Sequence, residues 1–214
     1  MAYENIKQQV IDACNYLVSS GLIQGTSGNV SIKCDDDTVA VSPSGIPYDT
    51  LTVEDIPLVD FNGNVKEGTK KPSSETPMHT IIYRNRKDVG AVVHCHAVYS
   101  TAFSATELDR IPVVTVPVIH YDPVLVAPFE IPGSKELAES TIKYLGEEGS
   151  AVILQHHGII AAQPDIKKAL TCCSYVEEAS RVACITLQMT NKPSTISQDV
   201  VDKLLNRVRK GDAI

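Results

Sequence analysis

The chain has 214 residues, 43% of them apolar and 21% charged, and a formal net charge of −7. That length fits one domain, residues 1–214, with room for a sizeable core. The acidic balance argues against a nucleic-acid or anionic-membrane surface, and no run of about 18 apolar residues offers a membrane span.

Residues 3–20 carry a helical stripe of Ile6, Val10, Ala13, Leu17 and Val18, and Gly21 ends it. A turn-rich segment, Gly25-Thr-Ser-Gly-Asn-Val-Ser31, feeds strands at 30–33 and 38–42, joined across Cys34-Asp-Asp-Asp37 as a hairpin with a solvated tip. A short strand at 57–61 meets an Asn62-Gly63 turn. Residues 75–86 predict a helix capped by Ser73 or Ser74. A strand at 89–94 and a helix at 97–106 follow, then an apolar, β-branched strand at 111–119. A helix at 134–147, strands at 151–155 and 158–161, a long helix at 165–189 after Pro164, and a helix at 195–209 complete the chain. Strands joined by short turns among helices predict an α/β fold in one domain, a mixed, mostly antiparallel sheet with helices on both faces.

Six cysteines, at 14, 34, 95, 172, 173 and 184, do not have the spacing of a disulfide framework. Reduced thiols in a cytoplasm are expected. The first seven residues, Met1 to Lys7, are amphipathic and do not read as a signal peptide.

Histidines end two strand-like runs, Ala91-Val-Val-His94-Cys-His96 and Ala151-Val-Ile-Leu-Gln-His156-His157-Gly158. Side chains alternate along a strand, so His94 and His96 share a face and Cys95 takes the other. Three neutral imidazoles hold a tetrahedral zinc with one position open, which a catalytic metal needs and a structural one lacks. Thr26-Ser-Gly-Asn29 and Ser42-Pro-Ser-Gly45 combine glycine with polar side chains, and Pro72-Ser-Ser-Glu75 sets hydroxyls where a helix begins; together the three loops suit an anion. Beside a metal, Glu75 is a candidate ligand or general base.

Taken in order, Thr26-Ser-Gly-Asn-Val-Ser31, Ser44-Gly-Ile-Pro-Tyr48, Lys71-Pro-Ser-Ser-Glu75, His94-x-His-Ala97, Ala127-Pro-Phe129 and Gln155-His-His-Gly158 resemble the zinc-dependent class II aldolase/adducin family, and within it the fuculose-1-phosphate aldolases. The resemblance spans about residues 5–190. It implies one Zn2+ per subunit on His94, His96 and His156, with His157 structural, and with manganese or cobalt as alternatives. It implies that Glu75 helps hold the resting metal and acts as base, and that Thr26, Asn29, Ser44, Gly45, Ser73 and Ser74 bind a phosphate. The implied reaction reversibly cleaves a ketose 1-phosphate to dihydroxyacetone phosphate and an aldehyde, through an enediolate whose charge the metal stabilises. The implied assembly is a homotetramer with the site at a subunit boundary.

Two departures from the family pattern concern the aldehyde side. Where related aldolases place an acid tyrosine from a neighbouring subunit this chain has Val116, and Tyr121 stands five residues later; the tail from Lys203 to Ile214 contains no tyrosine. Ribulose-5-phosphate 4-epimerases share the Lys71–Pro77 run but resemble Pro-Ser-Ser-Asp where this chain has Glu75. The longer carboxylate favours an aldolase, while epimerases, decarboxylases and other sugar-phosphate aldolases stay open.

Overall fold

The structure, a computed structural model, describes residues 3–190 and 193–210. The first two residues and the tail beyond Lys210 lie outside the described residues.

Eight strands form one sheet in the order β4-β3-β2-β1-β5-β8-β7-β6. They are β1 (Gly28–Asp35), β2 (Thr38–Val41), β3 (Leu58–Val59), β4 (Val65–Glu67), β5 (Ala91–Cys95), β6 (Leu125–Ala127), β7 (Ala151–Leu154) and β8 (Gly158–Gln163). Every pairing is antiparallel except β6 with β7. The mixed, mostly antiparallel sheet is therefore as expected.

The helices are α1 (Glu4–Ser19), α2 (Thr76–Asn85), α3 (Val98–Ser104), α4 (Lys135–Leu145), α5 (Ile166–Met189) and α6 (Gln198–Arg209). They cover both faces, because the central strands are apolar on both sides and neither face tolerates water. Val30, Ile32, Val93, Cys95 and Ile159 pack with α1 and α5. Val92, Ile160, Val152 and Leu154 face the other way, onto Met78, Ile82 and Tyr83 of α2 and Leu137 and Leu145 of α4. Burying each such aliphatic side chain contributes about 1.5–3 kcal/mol. All six cysteines are unpaired, and none of the described helices is long and apolar enough to cross a membrane.

Two expectations need correction. The strand at 111–119 does not form; the segment is irregular and ends in a 3-10 turn, Pro117–Tyr121. Pro112 and Pro117 remove the amide donors that a ladder needs, which outweighs the β-branched composition. The edge strand of that region is the short β6, only three residues long. The cap of α2 falls on Glu75 rather than on Ser73 or Ser74, since the helix begins at Thr76. Ser73 still organises the entry: its hydroxyl accepts from the Glu75 amide at 3.2 Å and its carbonyl from the Thr76 amide at 3.1 Å.

Gly158 opens β8 where that strand lies tightly on the end of β5. A Cβ there would stand 2.4 Å from the Cys95 carbonyl oxygen and 3.1 Å from His96 Cδ2. The Cys95 carbonyl is backbone of a paired strand and yields only if the sheet shifts. Gly158→Ala is expected to lower stability by about 1–3 kcal/mol through overpacking. Thermal melting checks it, and an unchanged midpoint would contradict this tight approach.

Candidate active site

β1 and β5 are neighbours, and their register sets Asn29 opposite His94. Alternation turns both side chains away from the α1–α5 core and toward α2, the helix that Glu75 caps. Cys95, between His94 and His96, takes the opposite face and packs against Cys173, as expected from the alternation. The chain then leaves β5, and His96 folds back beside His94, their Nε2 atoms 2.9 Å apart. Glu177 fixes the exit: its carboxylate accepts from the Tyr99 and Ser100 amides at 2.8 Å each, tying the start of α3 to α5.

The third imidazole is His157, not His156. Leu154 pairs with Gly158, so residues 155–157 form the hairpin loop between β7 and β8. His156 takes a left-handed conformation there, with φ 55°, and is exposed beside Phe129. That turn aims His157 back under the sheet end, where it is 9% exposed and its ring centroid lies 4.7 Å from that of His94 and 4.8 Å from that of His96. Strand alternation cannot decide between two adjacent histidines in a loop; the loop conformation does.

Glu75 closes the cluster. Its Oε2 lies 3.1 Å from His94 Nε2, and its Oε1 lies 3.4 Å from His157 Nε2. Asn29 Nδ2 donates to Oε2 at 2.9 Å. Burial opposes ionisation of Glu75, but His94, the Asn29 amide, His157 and His79 more than offset this and hold its carboxyl below the usual range. Burial pushes His94 down to about 3 and lowers His96 and His157 as well. Three neutral imidazoles result, the form that binds metal.

These donors fit a divalent transition metal. One ligand atom from each of His94, His96 and His157 lies within 4.8 Å of the others. His94 Nδ1 donates to the Ile159 carbonyl at 2.8 Å, so its Nε2 presents a lone pair to the cluster. Glu75 Oε1 is buried without a hydrogen-bond partner, and so is His157 Nδ1. An orphaned carboxylate oxygen 3.4 Å from the His157 Nε2 is costly unless a cation satisfies it. Three nitrogens and one oxygen suit zinc and its neighbours rather than magnesium or calcium.

A cavity of about 300 Å³ opens onto this cluster. Thr26, Asn29, Ser44, Gly45, Ser73 and Ser74 all line it, together with Glu75, His96 and His157. The loops that carry them are tied together, since the Ser44 amide donates to the Lys71 carbonyl and the Ser73 amide to the Ser42 carbonyl. Those two amides are thus occupied, and Ser44 and Ser73 offer the cavity their hydroxyls. Gly45 has φ 72°, which a residue with a Cβ adopts only with strain. Asn29 lines the cavity while its side-chain amide also bonds Glu75 through Nδ2 and His79 through Oδ1, leaving the second Nδ2 hydrogen uncommitted. Ser27, Gly28 and Pro43 of those same loops complete the wall with Pro132; neither Pro132 nor His79, which burial pushes down to about 4, stood out in the sequence.

Tyr121 does not reach this cavity. It sits on the 3-10 turn, its ring centroid 5.9 Å from that of Tyr175, and lines a separate cavity of about 680 Å³ with residues of α4 and α6. Burial raises its phenol.

Comparison with known proteins agrees with this geometry. The family described as Class II Aldolase and Adducin N-terminal domain matches residues 8–184. The L-fuculose phosphate aldolase of Escherichia coli K12 is 36% identical over 98% of this chain and 96% of its own length. The 5-deoxy-D-ribulose 1-phosphate aldolase of Bacillus thuringiensis serovar kurstaki is 32% identical over 97% of each chain. A solved L-fuculose 1-phosphate aldolase superposes with a TM-score of 0.92 at 31% identity, covering 98% of both chains.

Proposed function

The chain belongs to the class II aldolase and adducin family and is an aldolase-type lyase, and from that premise we propose that it reversibly cleaves a ketose 1-phosphate resembling L-fuculose 1-phosphate. The products are dihydroxyacetone phosphate and an aldehyde. The observation that carries this reading is a single cavity that joins three hydroxyl-bearing loops, a buried carboxylate and two of the three imidazoles.

The phosphate end is set by what lines the wall. Thr26, Ser44, Ser73 and Ser74 supply hydroxyls, and no lysine or arginine among the described residues lines the cavity. A phosphate dianion is then held by directed hydrogen bonds, in keeping with a chain of net charge −7. At about 300 Å³ the cavity stands at the lower end of ligand pockets, a size that suits a three-carbon phosphate. His94, His96 and His157 hold the metal, one zinc per subunit, with Glu75 as a further ligand in the resting site. When bound, the metal supplies the positive charge that offsets the developing enediolate. Glu75 takes and returns the proton at carbon three of dihydroxyacetone phosphate, since its Oε1 faces the cluster without a partner.

Tyr121 serves in this reading only across a subunit boundary, in a cytoplasmic homotetramer, as the acid toward the aldehyde oxygen. Its distance from its own chain's cavity leaves it no other use in the reaction. A second reading, cleavage of 5-deoxyribulose 1-phosphate, is favoured by the relative that is 32% identical over nearly the whole chain. Both readings share the phosphate and metal side and differ in the aldehyde.

The test is release of dihydroxyacetone phosphate from fuculose-, rhamnulose- and 5-deoxyribulose 1-phosphate, before and after chelation and with zinc restored. Chelator-sensitive release from fuculose 1-phosphate is expected, and faster release from 5-deoxyribulose 1-phosphate would select the second reading. No release from any of the three by the metal-loaded enzyme would overturn both and turn attention to epimerase or decarboxylase chemistry.

A further inference from the structure

Behind Glu75 lies a polar stripe that a buried helix–sheet contact does not need. Glu75, His79 and Tyr83 recur every fourth residue and share one face of α2, while Asn29 and Ser31 share the facing side of β1. All five are nearly inaccessible, at 6%, 0%, 3%, 5% and 0% exposure respectively. They form an unbroken series. Tyr83 Oη lies 2.9 Å from Ser31 Oγ and donates to the Ser31 carbonyl at 3.0 Å. Ser31 Oγ lies 2.7 Å from His79 Nδ1, and His79 Nε2 lies 2.5 Å from Asn29 Oδ1. Asn29 Nδ2 then donates to Glu75 Oε2 at 2.9 Å.

The polarity of the series follows from donor and acceptor rules. An ionised carboxylate only accepts, so the Asn29 amide nitrogen faces Glu75 and its oxygen faces His79. An amide oxygen also only accepts, so His79 Nε2 carries a hydrogen. His79 and the carboxylate therefore demand the same orientation of the Asn29 amide, and His79 Nε2–H holds its oxygen end in place. Were that amide reversed, an oxygen would face the carboxylate at hydrogen-bond distance and drive Glu75 away.

We infer that His79 is a positioning residue for proton transfer: by orienting Asn29 it pins Glu75 Oε2 and leaves Oε1 as the oxygen that exchanges the proton. The inference rests on the proposed role of Glu75 as base. Oε1 is the buried oxygen without a hydrogen-bond partner, while Oε2 is the one that is held. A fixed carboxylate with one engaged oxygen meets the orientation demand of proton abstraction at carbon.

The test uses the metal-loaded enzyme and four variants, His79→Leu, His79→Gln, Ser31→Ala and Glu75→Gln. Metal content, KM, kcat and exchange of the carbon-three proton of dihydroxyacetone phosphate in deuterated water are measured for each. His79→Leu is expected to keep its metal and its KM while exchange and kcat fall roughly 10- to 100-fold. His79→Gln keeps an N–H that reaches toward Asn29 and is expected to recover most of that loss. Wild-type exchange in His79→Leu would overturn the inference, and so would equal losses in the Leu and Gln variants, which would indicate packing alone. If His79→Leu does not fold, Ser31→Ala decides, with a loss of about threefold or more expected from one missing hydrogen bond. Unaltered exchange in Ser31→Ala would then overturn it. Normal exchange in Glu75→Gln would instead remove the base itself, whatever His79 does. An inert Glu75→Gln beside a fully active His79→Leu would remove only the role of His79.

Discussion

Glu75→Gln is expected to abolish carbon-three proton exchange while dihydroxyacetone phosphate still binds. The substitution keeps the volume of a side chain that is 6% exposed and keeps an oxygen able to accept from Asn29. What it removes is the negative charge and the basic lone pair of Oε1. General-base assistance is worth typically 10²- to 10⁴-fold, and a loss in that range is expected in both exchange and retro-aldol kcat. KM for the phosphate substrate should change little, because the hydroxyls of Thr26, Ser44, Ser73 and Ser74 are untouched. The metal should be retained, held by three imidazoles, though bound less tightly without the carboxylate. Exchange followed by proton NMR in deuterated water, with metal content measured on the same sample, distinguishes the two losses. Normal exchange with the metal in place would rule Glu75 out as the base.

Much of this site is legible in the chain because its parts sit on regular elements with strict periods. His94 and His96 end a strand, so their common face and the opposite face of Cys95 follow from alternation alone. The three Ser/Gly loops announce themselves by composition, and the structure gathers all six expected residues around one cavity. The parts that were not legible depend on contacts between distant segments. Asn29 reads as a phosphate residue alone; that its amide also bridges Glu75 and His79 emerges only from the packing of α2 on β1. His79 reads as an ordinary helix residue; its signal, Glu75 and Tyr83 four residues to either side, matters only once Asn29 and Ser31 are known to face that helix. The segment 111–119 misled for a different reason. Its Val and Ile content reads as strand, while two prolines deny it the hydrogen bonds of a ladder.

The choice between His156 and His157 has the sharpest experimental consequence. His157→Ala is expected to weaken metal binding by more than about 100-fold, beyond the cost of losing an outer partner of a ligand. Retro-aldol activity should fall with it, and excess metal should restore only part. His156→Ala is expected to keep the metal, because that side chain points outward beside Phe129. Its stability should change little, because alanine adopts the φ of 55° at the same cost of about 1–2 kcal/mol that histidine already bears there. His156→Gly removes the Cβ that makes this conformation costly and should raise stability above that of the native chain without altering metal content. Titration of metal-free protein with zinc, alongside thermal melts, separates the two positions in one experiment. Loss of metal from the His156 variant with retention in the His157 variant would mean that the hairpin turns the other way in solution. Because the conformation of that three-residue loop selects which histidine points inward, the loop between β7 and β8 is itself a determinant of the metal site. Inserting one residue after Gln155 is therefore expected to cost metal binding as surely as removing His157, with the strands on either side intact.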